Sequence, residues 1–230
     1  MFGGEHEARS PVEAVMWCLN LWSDGLKMEW RPLEAKGEAP SARLVTTNIL
    51  LVSMRASRFG HGQCAVDTDV YIFGGRQGTA IDEKLLNDVY KFDTLTSTWT
   101  RISVSGTEPC PRSYLSLVSH GKCLYVFGGC PQEGRLADLH ILDTVSGVWT
   151  RLEAGPMEGR GGTPLAVTRD GDIFVVGGFA GREMADIHKY SIKERKWTTM
   201  KEVLSVERRI TVFTLDVSDI ARSSQCGAVC

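Results

Sequence analysis

Short apolar segments alternate with polar connections along this chain, and one arrangement returns about every fifty residues. Apolar runs too short for helices and rich in β-branched and aromatic residues occur at Val70–Phe73, Leu124–Phe127 and Ile173–Val176. Segments of alternating polar and apolar residues follow them at Asn87–Asp93, Ala137–Asp143 and Ala185–Ser191. Period-two alternation is typical of a β-strand with two different faces, so both kinds of segment are predicted to be strands.

Two landmarks keep the same period as the strands. Each apolar run ends in a Gly-Gly pair, and a tryptophan follows about twenty residues later, at Trp99, Trp149 and Trp197. Each tryptophan lies six positions after the end of its alternating segment, which leaves room for a hairpin turn only. A further strand is predicted after an arginine that closes a turn, as in Arg112–Val118. Each period is therefore predicted to be four antiparallel strands, the blade of a β-propeller.

The repeat divides the chain into complete and incomplete modules. Complete blades are predicted at 59–103, 112–153 and 160–201, a partial first blade at 1–43, and the start of a further blade with an irregular tail at 207–230. The fold class is therefore all-β, a propeller whose ring is incomplete or truncated. The alternative is a small closed ring, in which the last strand completes the first module. The truncated ring is favoured because the first module offers hardly any second strand, and its open blade faces predict self-association.

Residues 44–58 interrupt the first period. Both the spacing from Trp30 to Arg43 and the spacing from Arg58 to Gly75 match those of the next module, with 15 surplus residues between them. The surplus is apolar, whereas loops are usually polar. We expect an insertion foreign to the repeat; a long functional loop is the alternative.

Composition excludes several classes of protein. The chain has 230 residues, 43% of them hydrophobic, and a formal net charge of −2, which gives no electrostatic basis for nucleic-acid binding. No apolar run approaches the roughly 20 residues that span a bilayer. The seven cysteines form no C-x-x-C pair and are predicted to be free thiols. A cytoplasmic location is expected.

The repeated motifs resemble kelch repeats over nearly the whole chain outside 44–58 and the tail. A narrower similarity, over Arg160–Tyr190, is to the plant nitrile-specifier and epithiospecifier proteins and their fungal relatives. That resemblance implies a propeller that binds ferrous iron and directs glucosinolate-derived aglycones toward nitriles. The family's iron motif is Glu-x-x-x-Asp-x-x-x-His after a Phe-Gly-Gly. The only Phe-Gly-Gly-Glu in the chain starts at Phe2, and it is followed by Arg9 and Glu13 where the Asp and His belong, so that site is not formed here.

Glu183, Asp186 and His188 are the remaining candidates for metal ligands. Asp186 repeats Asp88 and Asp138 of the other modules, and His188 occupies the position of Tyr90 and His140. Repeated positions indicate a role in the scaffold. We therefore expect no metal and no cofactor for this chain, and ferrous iron enters only through a full-length specifier protein.

One face of the propeller is expected to carry recognition. The connections after the second strand of each module vary in length, while the hairpins on the opposite face keep one length. The candidate ligand-binding residues on the variable face are arginines, whose planar cations suit a carboxylate, a sulfate or an acidic peptide: Arg76, Arg112, Arg135, Arg160 and Arg182. In the alternative, Arg112 and Arg160 pair locally with carboxylates such as Glu108 or Glu158, and the others are solvated loop charges.

The sequence thus predicts a non-catalytic module that binds a protein or a small anionic ligand through its variable loops. The alternative is a fragment of a specifier-type, Fe(II)-dependent enzyme whose iron-binding blade is missing. No catalytic residues are expected in either case, because the chain lacks the motif on which lyase activity would depend.

Overall fold

The computed structural model describes residues 5–7, 10–11, 16–21, 28–40, 60–77 and 83–200. Every regular element in these ranges is a β-strand. No helix in the described ranges is long and apolar enough to cross a membrane. Residues 44–58 and 207–230 lie outside the described residues, so the predicted insertion and the predicted last module stay predictions.

The N-terminal part forms two small antiparallel ribbons. Strands β1 (Glu5–Glu7) and β2 (Ser10–Pro11) pair in the first, and β3 (Met16–Leu21) and β4 (Met28–Leu33) pair in the second. The second ribbon lies within residues 1–43, the range predicted for the partial first blade.

Blade A is the first complete sheet, with four strands over 62–102 and a short fifth strand from earlier in the chain. Its strands are β5 (Lys36–Gly37), β6 (Gly62–Val66), β7 (Asp69–Phe73), β10 (Val89–Asp93) and β11 (Thr98–Ile102), in the sheet order β5-β11-β10-β7-β6. The connection between β7 and β10 carries a short ribbon of β8 (Arg76–Gln77) and β9 (Lys84–Leu85).

Blades B and C follow the same plan. Blade B consists of β12 (Ser105–Gly106), β13 (Ser116–His120), β14 (Cys123–Gly129), β15 (Leu136–Asp143) and β16 (Val148–Arg151), in the order β12-β16-β15-β14-β13. Blade C consists of β17 (Leu165–Val167), β18 (Asp172–Phe179), β19 (Glu183–Ser191) and β20 (Lys196–Met200), in sequence order. The pairing within each period confirms the predicted all-β, kelch-type fold.

A fifth strand corrects the prediction of four strands in blades A and B. The connection that leads into each of these blades pairs in parallel with the blade's outer strand, through β5 on β11 and β12 on β16. Gly106 has a φ of 87°, and a side chain there would collide with the carbonyl group of Trp149. Only glycine allows this approach, which gives the edge carbonyl of Trp149 a donor, the Thr107 amide at 2.9 Å.

The hydrophobic core lies between neighbouring sheets. Blade A packs on blade B through Phe73, Val89, Leu124, Val126 and Trp149 among others, and blade B packs on blade C through Phe127, Leu139, Ile173 and Val175. Successive residues of one strand therefore face different neighbours, which is why the strands are apolar on both faces.

Burial differs among the tryptophans, and the described cysteines agree with the prediction of free thiols. Trp99 and Trp149 are buried core residues, whereas Trp197 is half-buried and Trp30 is 51% exposed. The five cysteines within the described ranges are free thiols, at Cys18, Cys64, Cys110, Cys123 and Cys130. Burial raises the pKa of the Cys64 thiol to about 12, so this residue behaves as a small apolar filler.

Candidate interaction surface on the loop face

Arg112 connects blade A to blade B from inside the protein. Its amide donates to the Leu86 carbonyl of blade A at 3.0 Å, and its own carbonyl accepts from the Gly75 amide at 2.8 Å. Its guanidinium group reaches into blade B, where it donates to both carboxylate oxygens of Asp138, at 2.6 and 3.0 Å, and to the Gly128 carbonyl. The side chain is 1% exposed. Such a bidentate, charge-assisted pair fixes how the two sheets are placed.

Arg160 repeats this arrangement between blades B and C. Its backbone bonds to Leu136 and Gly129 of blade B, and its guanidinium donates to the Gly177 carbonyl and both carboxylate oxygens of Asp186 in blade C. The side chain of Arg160 is 0% exposed. Arg112 and Arg160, two of the five predicted ligand-binding arginines, therefore bind groups inside the protein in this structure.

A histidine completes each arginine–aspartate pair. Nε2 of His140 lies 3.0 Å from Asp138, and Nε2 of His188 lies 2.8 Å from Asp186. Asp186 and His188 thus have the same kinds of partner as Asp138 and His140 one module earlier. Within the part of the chain that the structure describes, no group of three His, Cys, Asp or Glu side chains could hold a metal ion.

The two aspartates remain ionised because of these partners. Burial alone would raise the pKa of Asp138, but hydrogen bonds from His140 and Arg112 lower it below its ordinary value. The same balance, with hydrogen bonds from Arg160 and His188, lowers the pKa of Asp186 to about 2.

The lowered pKa of Asp186 predicts a loss of stability in acid. The unfolded carboxyl takes up its proton near its ordinary value of 3.8, while the folded one does so near 2. Stability from this group is thus present above about pH 4 and lost as the pH falls toward 2. Urea unfolding across this window should show a steeper loss for the native chain than for Asp186→Asn. Asp170→Asn, in an exposed turn, should keep the native slope; equal slopes for all three proteins would contradict the prediction.

The structure corrects the alternative that was proposed for Arg112 and Arg160. Their carboxylate partners are not Glu108 and Glu158 but aspartates farther along the same module, Asp138 for Arg112 and Asp186 for Arg160. Glu158 contributes only its backbone carbonyl to Arg160, at 3.0 Å, and its carboxylate accepts from the exposed Arg182 at 2.8 Å. The hydrogen bond from Arg182 to Glu158 raises the pKa of Arg182.

We call the surface formed by the connections after the second strand and before the first strand of each blade the loop face. Arg76 lies on this face, at the junction of blades A and B. Its guanidinium carbon lies 5.0 Å from the centre of the Tyr114 ring, and its Nη2 donates to the Tyr114 hydroxyl at 2.7 Å. Its Nη1 forms a salt bridge with Glu83. These groups line an open cleft of about 440 Å³ together with Leu85, Ser113, Cys130, Pro131 and Gln132.

Arg135 forms the corresponding contact at the junction of blades B and C. Its guanidinium carbon lies 4.8 Å from the centre of the Phe179 ring, and Phe179 is 40% exposed. In the described residues Arg135 takes part in no salt bridge, whereas the other four predicted arginines all do. Each junction thus presents one arginine over one exposed aromatic ring, a half-buried arginine at Arg76 and an exposed one at Arg135.

Sequence reasoning missed the aspartate partners and the two aromatic rings, although signals for both were present. Each buried arginine precedes its aspartate by 26 residues. Tyr114 occupies a position, two residues after the arginine, where the other blades have Gly60 and Gly162. The first signal is a spacing that stays constant between modules, and the second is a residue that differs between them. Both become visible only when the modules are aligned on their arginines.

The repeated sheets, their face-to-face packing and the two buried arginine–aspartate pairs define a kelch-repeat β-propeller. Residues 1–215 match the profile of the KLHDC2/KLHL20/DRC7 Kelch-repeats domain, and the chain belongs to this family.

Individual relatives match different shares of the chain. Kelch domain-containing protein 3 of Homo sapiens is 40% identical over 73 residues, which are 32% of this chain and 19% of the relative. Kelch domain-containing protein 10 of Homo sapiens is 28% identical over 191 residues, 76% of this chain and 43% of the relative. A Drosophila melanogaster homolog of leucine-zipper-like transcriptional regulator 1 is 34% identical over 74 residues, 32% of this chain and 7% of the relative. The chain thus spans less than half the length of each of these three relatives. Nothing in these matches supports the predicted similarity to nitrile-specifier proteins.

Proposed function

We propose that this chain is a protein-binding module whose loop face receives a segment of a partner protein. The observation that carries the proposal is the pair of exposed arginine–aromatic contacts at successive blade junctions, Arg76 with Tyr114 and Arg135 with Phe179. Tyrosine, phenylalanine and arginine are enriched in protein interfaces, because they offer large contact areas that lose little conformational freedom. The family membership agrees with a role in protein interaction.

Charge favours a protein over a small anion as the ligand. Four of the five predicted arginines form salt bridges with carboxylates, so their charges are largely compensated. An anion would have to compete with these internal partners, whereas a protein segment can use the rings and the cleft. Recognition of a small anionic ligand stays a second prediction, centred on Arg135.

Other expectations from the sequence are not part of this proposal. Self-association through open blade faces and a cytoplasmic location stay predictions, and size-exclusion chromatography would test the first. An iron-dependent activity has no support in the described residues.

The proposal predicts where a bound peptide protects the protein. Peptides selected on the purified chain from a phage-displayed library of random linear peptides should slow hydrogen exchange at 83–88, 113–115 and 130–136. The turns at 94–97 and 144–147, on the opposite face, should exchange at the same rate as before. Protection confined to those turns would contradict the proposal.

A matched pair of arginines extends the test. Arg135→Ala should weaken peptide binding by about fivefold or more, the usual threshold for an energetically important contact. Arg151→Ala, which removes an exposed arginine from the outer strand β16, should leave the affinity unchanged.

A further inference from the structure

Tyr114 adopts a backbone conformation that its side chain disfavours. Its φ is 51°, in the left-handed region, where a bulky residue is an outlier. The corresponding residues of blades A and C are Gly60 and Gly162, with φ of 63° and 60°. The fold therefore requires a left-handed residue at the start of each blade, and glycine meets this requirement without strain in the other two.

Backbone hydrogen bonds explain the conformation but not the tyrosine. The Tyr114 amide donates to the Gly60 carbonyl at 2.6 Å, and the Tyr114 carbonyl accepts from the Gly162 amide at 2.8 Å. The three residues thus form a hydrogen-bonded series across the three blades. A glycine at position 114 would make both bonds equally well, so these bonds do not require the tyrosine side chain.

The Tyr114 side chain is held in place and still exposed. Arg76 covers its ring and donates to its hydroxyl, and Glu83 in turn binds Arg76. The residue is nevertheless 39% exposed and lines the 440 Å³ cleft of the loop face. An aromatic ring fixed before binding loses little entropy when a partner packs on it, which is the property of an anchor residue in an interface.

We propose that Tyr114 is the anchor residue of the loop-face cleft and that the cleft takes an uncharged peptide segment with an apolar side chain against the exposed part of the ring. The absence of a net charge is expected because Glu83 compensates Arg76. The amide side chain of Gln132 in the cleft lining offers a donor and an acceptor to the peptide backbone. This inference rests on the proposed function and names the residue and the partner chemistry through which it acts.

The test compares affinity with stability for peptides selected on the native chain. Tyr114→Gly should reduce affinity by about 30-fold, the hot-spot threshold. Its midpoint of thermal unfolding should change by no more than about 2–4 °C, because relief of the strained backbone offsets the lost ring contacts. Tyr114→Phe keeps the ring and should keep most of the affinity. Val145→Ala, at a residue 79% exposed in a turn of the opposite face, is the control and should change neither quantity.

The outcomes separate this inference from the proposed function. Unchanged affinity of Tyr114→Gly, with exchange protection still on the loop face, overturns the anchor role and leaves the proposed function intact. Protection on the opposite face overturns both. A large fall in the unfolding midpoint with unchanged affinity identifies Tyr114 as a structural residue and also overturns the inference. If Tyr114→Gly does not fold, Tyr114→Asn replaces it, because asparagine tolerates the left-handed conformation. Selected peptides rich in Asp and Glu would contradict the uncharged partner.

Discussion

Arg112→Met is expected to lower the free energy of unfolding by about 3–5 kcal/mol, because it leaves the carboxylate of Asp138 without the guanidinium that compensates it. The change also removes the donors to the carbonyls of Cys110 and Gly128. Residue 112 then keeps its backbone bonds to blade A but loses the guanidinium bonds to Asp138 and Gly128 of blade B. Urea denaturation monitored by tryptophan fluorescence measures the effect directly.

Two further variants show whether the effect comes from the buried pair. Arg101→Met removes an exposed arginine from strand β11 and should change stability by no more than about 0.5 kcal/mol. The double variant Arg112→Met with Asp138→Leu should recover part of the loss, because neither charge then remains buried. Equal urea midpoints for Arg112→Met and Arg101→Met would show that the buried pair of Arg112 and Asp138 does not stabilise the propeller.

Trp149→Ala is expected to destabilise the protein by a similar amount, about 3–5 kcal/mol, through the cavity it leaves between blades A and B. The indole is 1% exposed, and its ring centre lies 5.2 Å from that of Phe73 in the neighbouring blade. Because the indole belongs to blade B and packs against blade A, two rigid sheets line the space and can collapse into it only partly. Thermal unfolding of the variant measures this loss.

Two comparisons make the tryptophan prediction specific. Trp30→Ala, at a residue 51% exposed, should cost less than about 1 kcal/mol. Trp149→Phe should cost less than the alanine change, since within the described residues the buried indole nitrogen of Trp149 has no hydrogen-bond partner. A loss for Trp30→Ala as large as that for Trp149→Ala would contradict the packing described here.

Local patterns were sufficient for the strands, because a strand's alternation and its hairpin are set by residues that are neighbours in sequence. The apolar run before Gly74, for example, predicts β7, and the six-residue spacing to Trp99 predicts the turn between β10 and β11. The fifth strands were not predicted, because a two-residue parallel pairing such as Ser105–Gly106 with Val148–Trp149 leaves no periodic pattern.

The candidate site was also predicted only in part from the sequence. The arginines could be assigned to one face from strand order, yet their environments differ completely, from 0% exposure at Arg160 to 64% at Arg182. A guanidinium's environment depends on which carboxylate or ring the next blade places beside it. Tyr114 was not recognised either, because a left-handed φ has no signature in a single residue's identity.

The sequence by itself indicated the repeating sheet and the face that carries variable loops, because these follow from alternation, glycine pairs and turn lengths within one module. Only the tertiary structure decided which arginines form buried pairs with aspartates, which lie over aromatic rings, and where a strained tyrosine borders a cleft. Those features arise where one blade packs on the next, between groups 26 or more residues apart in the chain. Their energies depend on burial and distance, which the order of residues along a strand does not specify.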